Sequence, residues 1–469
     1  MNAQAERADE VLLDDVDVLV VGGGVVGCAV LRELSGCDVR VAMIEARGDV
    51  GDATSKANTA ILHTGFDAVP GSQESTLVAR GYALLSEYAV RTGIPVEPTG
   101  ALLVAWDEEQ LGVLPSLLAK AQKNGYLDCS LVDAAAVYAR VPHLGPGALG
   151  GLAVPGESII CPWTTPLAYA TEAVARGARI HLSAAVQAVD VGPESTVVRT
   201  TRGDVRTRWL VNAAGLGGDA VDRMLGHDRF DVVPRRGELL VFDKLARRLV
   251  DVIVLPVPTS KGKGVLVSPT VFGNVMLGPT SENLTDRSDT STSEDGFAFL
   301  LEKGGRLMPD LLREDVTAAY AGLRASTQFD DYVLDTDPAQ RYVLLGGIRS
   351  TGLTASMALG EWTAQRLRDA GLPLPPRGDL PDPPRMPNIG EAFPRPYQQA
   401  DRIEGDPEYG RIVCFCERVS RGEVRDALRS ALPPCDADGL RRRTRAMMGR
   451  CQGFYCGAEI DALLRGDGE

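Results

Sequence analysis

The chain has no apolar run long enough to cross a bilayer as a helix. The longest, VLVVGGGVVGCAVL at 18–31, is short and broken by glycines. It follows the acidic stretch DEVLLDDVD and so lacks the basic flank of a signal peptide. A cytoplasmic protein without direct membrane insertion is expected, with any membrane association passing through a partner. Positive charge is also in deficit: 49 Lys and Arg face 63 Asp and Glu, for a net charge of −14. That balance disfavours nucleic acids and anionic membranes as partners. It also means that an anionic substrate needs cations placed inside its pocket. Histidine is scarce, with four in 469 residues, so few side chains are candidates for a base working near neutral pH. Cysteine is scarce over the first 413 residues, which hold four of the nine; five lie in the last 56. An odd, uneven set in a cytoplasmic chain argues against a disulfide framework and for metal ligation by the clustered group.

What is present starts with VDVLVVGGGVVGCAVLRELSGCDVRVAMIEAR. Residues 16–21 are a β-branched run, as expected of a buried parallel strand. Gly22, Gly24 and Gly27 then form G-x-G-x-x-G, for a tight turn, a close backbone approach to pyrophosphate and close helix packing. The helix that follows favours phosphate at its N-terminus. A second strand ends in Glu45, 21 residues after Gly24, where a carboxylate can accept from ribose hydroxyls. A second glycine cluster, Gly215-x-Gly217-x-x-Ala220 in LVNAAGLGGDA, has no strand with a terminal acid behind it. One large cofactor touched by several segments therefore fits better than two nucleotides.

The segments DATSKANTAILHTGFDAVPGS, LVNAAGLGGDA, PVPTSKGKGVLVSPTVFGNVMLGPTSEN, YAGLRAS and GGIRSTGLTASMAL occur in that order. Together they resemble the FAD-dependent glycerol-3-phosphate dehydrogenase / 2-hydroxyglutarate oxidase branch of the D-amino-acid-oxidase-like flavoproteins. The tail, YGRIVCFCERVSRGEV with GRCQGFYCG, resembles the bacterioferritin-associated-ferredoxin-like (BFD-like) [2Fe–2S] domain. The resemblance implies an α/β fold. A discontinuous Rossmann-type FAD domain would take 15–95, 146–228 and 336–375, and a mixed-sheet α+β substrate domain 96–145 and 229–335. A proline-rich linker or wrapping arm at 376–410 would lead to a Cys₄ iron–sulfur module at 411–469. FAD would be held by Gly22, Gly24, Gly27, Glu45, Thr54, Ser55, Asn58, Thr59, Val186, Ala214, Gly215, Gly347, Gly352, Leu353 and Thr354.

Oxidation of an alcohol by a flavin sends a hydride to N5 and a proton to a base. His63 lies in the segment that the family sets against the flavin ring and is the expected base; His143, His181 and His227 read as structural or surface residues. The resemblance gives Arg324, and Lys263 with Lys261 as its rival, the role of facing the substrate's anionic group. K-G-K-G also reads as an exposed turn. Ser350 would bond substrate or flavin. Arg349 and Thr351 depart from the acid-Ser-Pro of relatives; Arg349 either favours a more anionic substrate or points to solvent. The segment at 150–190 reads as a surface helix and a strand, with Cys161 in the core.

In the tail, Ser420 is placed to cap an amphipathic helix. Cys414, Cys416, Cys451 and Cys456 stand as C-x-C and C-x₄-C. Four thiolates suit zinc or [2Fe–2S], and a vestigial site would be empty; this spacing is atypical of structural zinc and fits the cluster module that the tail resembles. Cys435 is unmatched, and Phe415 stands where relatives often carry arginine. Arg441, Arg442, Arg443, Arg445 and Arg450 would offset cluster charge or form a solvated or partner-docking face. The resulting expectation is an FAD/[2Fe–2S] dehydrogenase of a small anionic hydroxy compound, glycerol 3-phosphate first. It would pass electrons to an acceptor protein or quinone-linked subunit, and oligomers are compatible with it. The alternatives are a 2-hydroxy-acid or amine/imino-acid enzyme of the same fold, and a non-catalytic redox subunit.

Overall fold

A computed structural model describes residues 12–258 and 264–466. Lys261 and Lys263 lie outside the described residues. The glycine-rich start folds as the spacing implies. The strand Leu12–Val21 ends in the turn at Gly22 and the helix Val25–Ser35 follows, packed over the strand. Gly22 takes φ +104, and a Cβ there would meet the Ala213 carbonyl oxygen at 2.5 Å. A Cβ on Gly27 would come within 1.9 Å of the Gly22 carbonyl oxygen. Glycine is thus required twice by backbone approach, which is the condition for this close turn.

The first sheet has eight strands. Its parallel centre runs Tyr342–Gly346, Gly203–Asn212, Leu12–Val21, Val41–Ile44, Arg179–His181. Val41–Ile44 and Tyr342–Gly346 are buried along their whole length, as are the last residues of Leu12–Val21 and Gly203–Asn212, whereas Arg179–His181 at the edge is partly exposed. The second sheet has nine strands, almost all antiparallel, with Val233–Phe242 paired along Val316–Ser326. Two strands sit in a different sheet from the one expected. Gly150–Val154, inside the stretch assigned to the first domain, pairs with Ala101–Ala105 in the second sheet. Val333–Asp337, begun inside the substrate stretch, pairs with Tyr342–Gly346 in the first. In both cases the chain crosses between sheets a few residues away from the point that motif spacing marks.

The helix Thr164–Ala175 is not a surface helix. Eight of its residues are buried, including Glu172. The polar residues that suggested exposure are satisfied internally: Arg32 Nε and Tyr88 Oη donate to Glu172 Oε2 at 2.9 and 2.6 Å. A buried carboxylate with such donors is tolerated.

Residues 376–410 wrap the body rather than hang from it. Arg377 N donates to the Gly36 carbonyl oxygen at 2.9 Å and Met386 N to that of Thr92 at 2.7 Å, Ile389 is buried, and Arg395 is 1% exposed with Nη2 on Glu423 Oε1 at 3.0 Å. Beyond it, Ser420 caps the helix Arg421–Leu428 in a capping box with Glu423. A small core of Val413, Val419, Val424, Leu440, Ala446 and Ile460 holds the module together. A domain this small gains only ~3–5 kcal/mol from such a core, so its seat on the rest of the chain matters.

That seat uses the arginine run. Arg443 Nη1 and Nη2 lie 2.6 and 2.8 Å from the Asp49 carboxylate, and Arg442 reaches Asp49 and Asp52 at 2.8 Å each. Arg445 Nη2 donates to Asn274 Oδ1 at 3.1 Å and lies 4.3 Å from the centre of the Phe272 ring, which stacks on Trp163 at 4.6 Å. Arg450 pairs with Asp243 at 2.8 Å. Arg442, Arg443, Arg445 and Arg450 clamp the module to the two larger sheets; Arg450 stays exposed beside Cys416, and Arg441 pairs, among the described residues, only with Asp438 of its own helix. Burial alone would raise the Asp49 carboxyl, but Arg443 and Arg442 outweigh it and hold it below its usual 3.8. A carboxylate depressed on folding contributes its full stability above the unfolded value and loses it as pH falls through the folded one. Asp49→Asn is expected to weaken the seat by about 3 kcal/mol at neutral pH, since it strands the buried Arg443 guanidinium and takes one of Arg442's two acids. Hydrogen exchange across residues 436–446 checks it: the wild type should open only below about pH 4, and the variant at neutral pH as well.

Candidate active site and cluster module

A cavity of about 430 Å³ runs along the first sheet's glycine turn and into the junction with the second sheet. Gly22, Gly24, Glu45, Thr54, Ser55, Asn58, Thr59, Val186, Ala214, Gly215, Gly347, Gly352 and Leu353 line it, together with His63, Arg349 and Ser350. Two expected contacts do not reach it. Gly27 is spent on helix–turn packing, and Thr354 is fully buried, its Oγ1 accepting from His63 N at 3.0 Å.

The walls suit a dinucleotide. Glu45 Oε2 accepts from Gly23 N at 2.6 Å and Oε1 from Arg47 N at 2.7 Å, so its carboxylate is fixed at the turn with lone pairs to spare. Burial raises its pKa against the pull of those N–H groups. Ser55 Oγ accepts from Val25 N at 2.9 Å, tying a second segment to the helix start. Around Gly24 a Cβ would meet only Ser55 Oγ, at 3.3 Å. Open backbone, a helix N-terminus and an acid one strand over are the donor set that a pyrophosphate and ribose require. The residues present fit FAD.

At the far end of the cavity is a pair that the sequence reading did not find. His63 Nδ1 lies 2.9 Å from Glu157 Oε2. Glu157 is 2% exposed, and its Oε1 accepts from Thr64 N at 2.7 Å and Thr64 Oγ1 at 2.9 Å. With the Nδ1 proton given to the carboxylate, the accepting nitrogen of the neutral ring is Nε2. The signal for Glu157 was an acid inside AVPGESIIC, between two apolar strands. The other histidines pair elsewhere: His143 with Asp310, His181 with Asp14 and His227 with Gln340.

Arg324 stands on Val316–Ser326 directly across from Arg235; it lines neither cavity itself, but its neighbour Ala325 lines this one. Burial first, then the Arg235 guanidinium, lower its pKa, yet a guanidinium stays charged. Among the described residues it has no acid or hydrogen-bond partner. Arg349 is not turned to solvent: its guanidinium donates to the backbone carbonyls of Phe329, at 3.1 Å, and Asp330. A second cavity, about 680 Å³, abuts the first at Thr54 and Leu216 and is closed on its other side by Arg441, Arg442, Arg445 and Gln452 of the module.

In the module, the four distant cysteines converge. The Cys416 thiol contacts that of Cys451, the Cys456 thiol contacts that of Cys414, and each pair feels a cysteine of the other. No group of three or more His, Cys, Asp or Glu among the described residues is gathered as the ligands of one metal ion. Backbone donors are aimed at the sulfurs. Tyr455 N–H, aided by the Cys416 thiol, Gly453 and Phe454, lowers the Cys451 thiol against burial. Burial, and the Cys414 thiol beside it, push Cys456 up to about 12, opposed by Met447 N–H. Paired thiols under N–H donors fit a sulfide-bridged centre. Cys435 is apart, exposed, with Sγ donating to the Gly48 carbonyl oxygen at 3.1 Å.

Comparisons with known proteins agree with this construction. Residues 17–366 match the FAD dependent oxidoreductase (DAO) family and residues 412–465 the BFD-like [2Fe-2S] binding domain. Glycerol 3-phosphate dehydrogenase of Caloramator mitchellensis is 32% identical over 96% of this chain and 93% of its own. Mitochondrial L-2-hydroxyglutarate dehydrogenase of Caenorhabditis elegans is 28% identical over 74% of this chain and 92% of its own. The structure of FAD-bound L-α-glycerophosphate oxidase from Mycoplasma pneumoniae superposes with a TM-score of 0.76 at 26% identity, covering 80% of this chain and 100% of that one. No described helix is long and apolar enough to cross a membrane. The chain belongs to the FAD-dependent oxidoreductase family of the D-amino-acid-oxidase type and carries a BFD-like [2Fe–2S] domain at its C-terminal end.

Proposed function

We propose that the protein oxidises glycerol 3-phosphate and delivers the electrons to a separate acceptor through its C-terminal module. The observation that carries the substrate reading is Arg324, a half-buried guanidinium with no acid partner among the described residues, one position along its strand from Ala325 in the wall of the cavity that His63 lines. A buried cation held among like charge suits a ligand that brings two negative charges. When bound, FAD supplies a hydride acceptor and the cluster a one-electron outlet. The chain's own residues do the rest. His63 takes the hydroxyl proton at Nε2 and Glu157 holds the ring and stabilises its charged form. Arg324, with Lys263 or Lys261, holds the phosphate, and Ser350 orients the substrate at the cavity wall.

The dehydrogenase reading is supported by chain length. The glycerophosphate oxidase is matched along its whole length, yet a fifth of this chain remains beyond it. The matched dehydrogenase extends across the tail. Anaerobic mixing with glycerol 3-phosphate should bleach the flavin absorbance, and failure of this and every related polyol phosphate to do so would refute the proposal. Arg324→Met should raise KM by about 10- to 100-fold, the worth of a charge-assisted contact, with bound FAD unchanged. A 2-hydroxy acid such as 2-hydroxyglutarate is the second reading, favoured by Arg349 at the cavity wall. Thermal stabilisation by 2-hydroxyglutarate and not by glycerol 3-phosphate would select it.

A further inference from the structure

The residues set between the cluster's ligands are aromatic and face outward. Phe415, between Cys414 and Cys416, is 73% exposed; Phe454 and Tyr455, between Cys451 and Cys456, are 86% and 76% exposed. A Cβ on Gly449 would meet the Cys416 Cβ at 2.3 Å, so the two aromatic-bearing segments adjoin. Phe454 and Tyr455 stack edge to face at 5.5 Å. Their side chains hold up nothing inside the module, whose core is formed by other residues. Three large exposed rings carried by adjoining segments of a module this small make an apolar surface of the kind that marks a contact site. Aromatic residues are also what contact surfaces concentrate at their centres.

The charged rim narrows the choice of partner. Beside these two segments Arg411, Arg418 and Arg450 are exposed; Arg411 pairs with Glu459 at 3.6 Å and Arg450 with Asp243 at 2.8 Å, which leaves Arg418 as the cation unmatched by an acid among the described residues. The remaining acid, Glu417, is buried and taken up by Lys244 and Arg445. The face is therefore locally cationic on a chain whose net charge is −14. That overall charge repels an anionic membrane, whereas a protein needs only a small acidic patch to match the rim.

We propose that Phe415, Phe454 and Tyr455 form the docking surface for a one-electron carrier protein with an apolar, acid-rimmed face. This rests on the electron-transfer reading of the module. Each substrate oxidised releases two electrons, so two oxidised carriers dock in turn and each leaves reduced by one electron, with no bond made or broken. The rings exclude water from the contact and bring the carrier over the thiols, and the arginines orient it.

The test uses the whole holoprotein. Cytochrome b5 serves as an acidic one-electron carrier, cytochrome c as a basic control, and surface plasmon resonance as the readout. Wild type should bind cytochrome b5 saturably at low salt. Phe454→Ser/Tyr455→Ser should weaken that binding about tenfold or more, and added salt should weaken it further. The cluster spectrum and dye-linked flavin reduction should be unaltered in the variant. Three results overturn the proposal: no saturable binding of cytochrome b5 by wild type, equal binding by the variant, or tighter binding of cytochrome c. Pelleting of wild type, but not the variant, with phosphatidylglycerol vesicles would assign the patch to a membrane and overturn it too. Loss of dye-linked activity in wild type would instead refute the proposed function while leaving the binding result to judge the surface.

Discussion

His63→Ala is expected to slow flavin reduction by glycerol 3-phosphate about 10²- to 10⁴-fold, the range that a positioned general base contributes, with FAD still bound. The cofactor should stay because His63 lies at one end of a cavity whose nucleotide-holding groups are 2.6–2.9 Å contacts among Gly23, Glu45, Arg47, Val25 and Ser55. Rapid anaerobic mixing followed at the flavin band measures it. Glu157→Gln should show a smaller loss with a different signature. The amide still fills the site beside Thr64, but it no longer supplies the negative charge that favours the charged ring. The kinetic pKa of flavin reduction should therefore fall in Glu157→Gln relative to wild type, because a carboxylate neighbour raises a histidine's pKa. An unchanged profile would mean that Glu157 only fills space. A normal rate in His63→Ala would remove the histidine from the chemistry altogether.

Cys451→Ser is expected to abolish the brown cluster absorbance and reduce transfer to a protein acceptor to background, while dye-linked flavin reduction stays near wild type. Removing one of four ligands removes the centre, since the remaining thiols cannot satisfy two irons. The flavin end should be spared because the seat of the module is held by Asp49, Asp52 and Asn274 against Arg442, Arg443 and Arg445, not by the cysteines. Absorbance and iron content of the purified variant, set beside its dye-linked rate, decide the matter. Loss of FAD in this variant would show that the cluster holds up the cofactor domain. Unchanged transfer to the acceptor would show that electrons leave by another route.

How much of this was readable beforehand follows from the range of each interaction. The glycine turn, Glu45 and the Ser420 cap are local: a few consecutive residues fix the backbone, and their spacing announces it. The cysteine pairs were legible for the same reason. Lys263 and Lys261, drawn from the same kind of motif, lie outside the described residues. Glu157 was missed because its partner is 94 residues away in sequence, and an acid among apolar residues reads equally well as a turn. The arginine run was misread for a related reason. Local composition gives charge but not direction, and its acids, Asp49 and Asp52, lie at the opposite end of the chain. Glu172 hid inside a helix whose polar residues looked solvated.

The amino-acid order alone determined which cofactors the protein is built around, since glycines, one acid and four thiols at fixed intervals set backbone geometry and ligand chemistry within short stretches. Only the tertiary structure decided what faces what. It placed Glu157 behind His63, left Arg324 without an acid among the described residues, and turned four arginines into a clamp, two of them on Asp49. Those outcomes depend on which distant charges are buried together, and burial is a property of the packed sheets rather than of any segment.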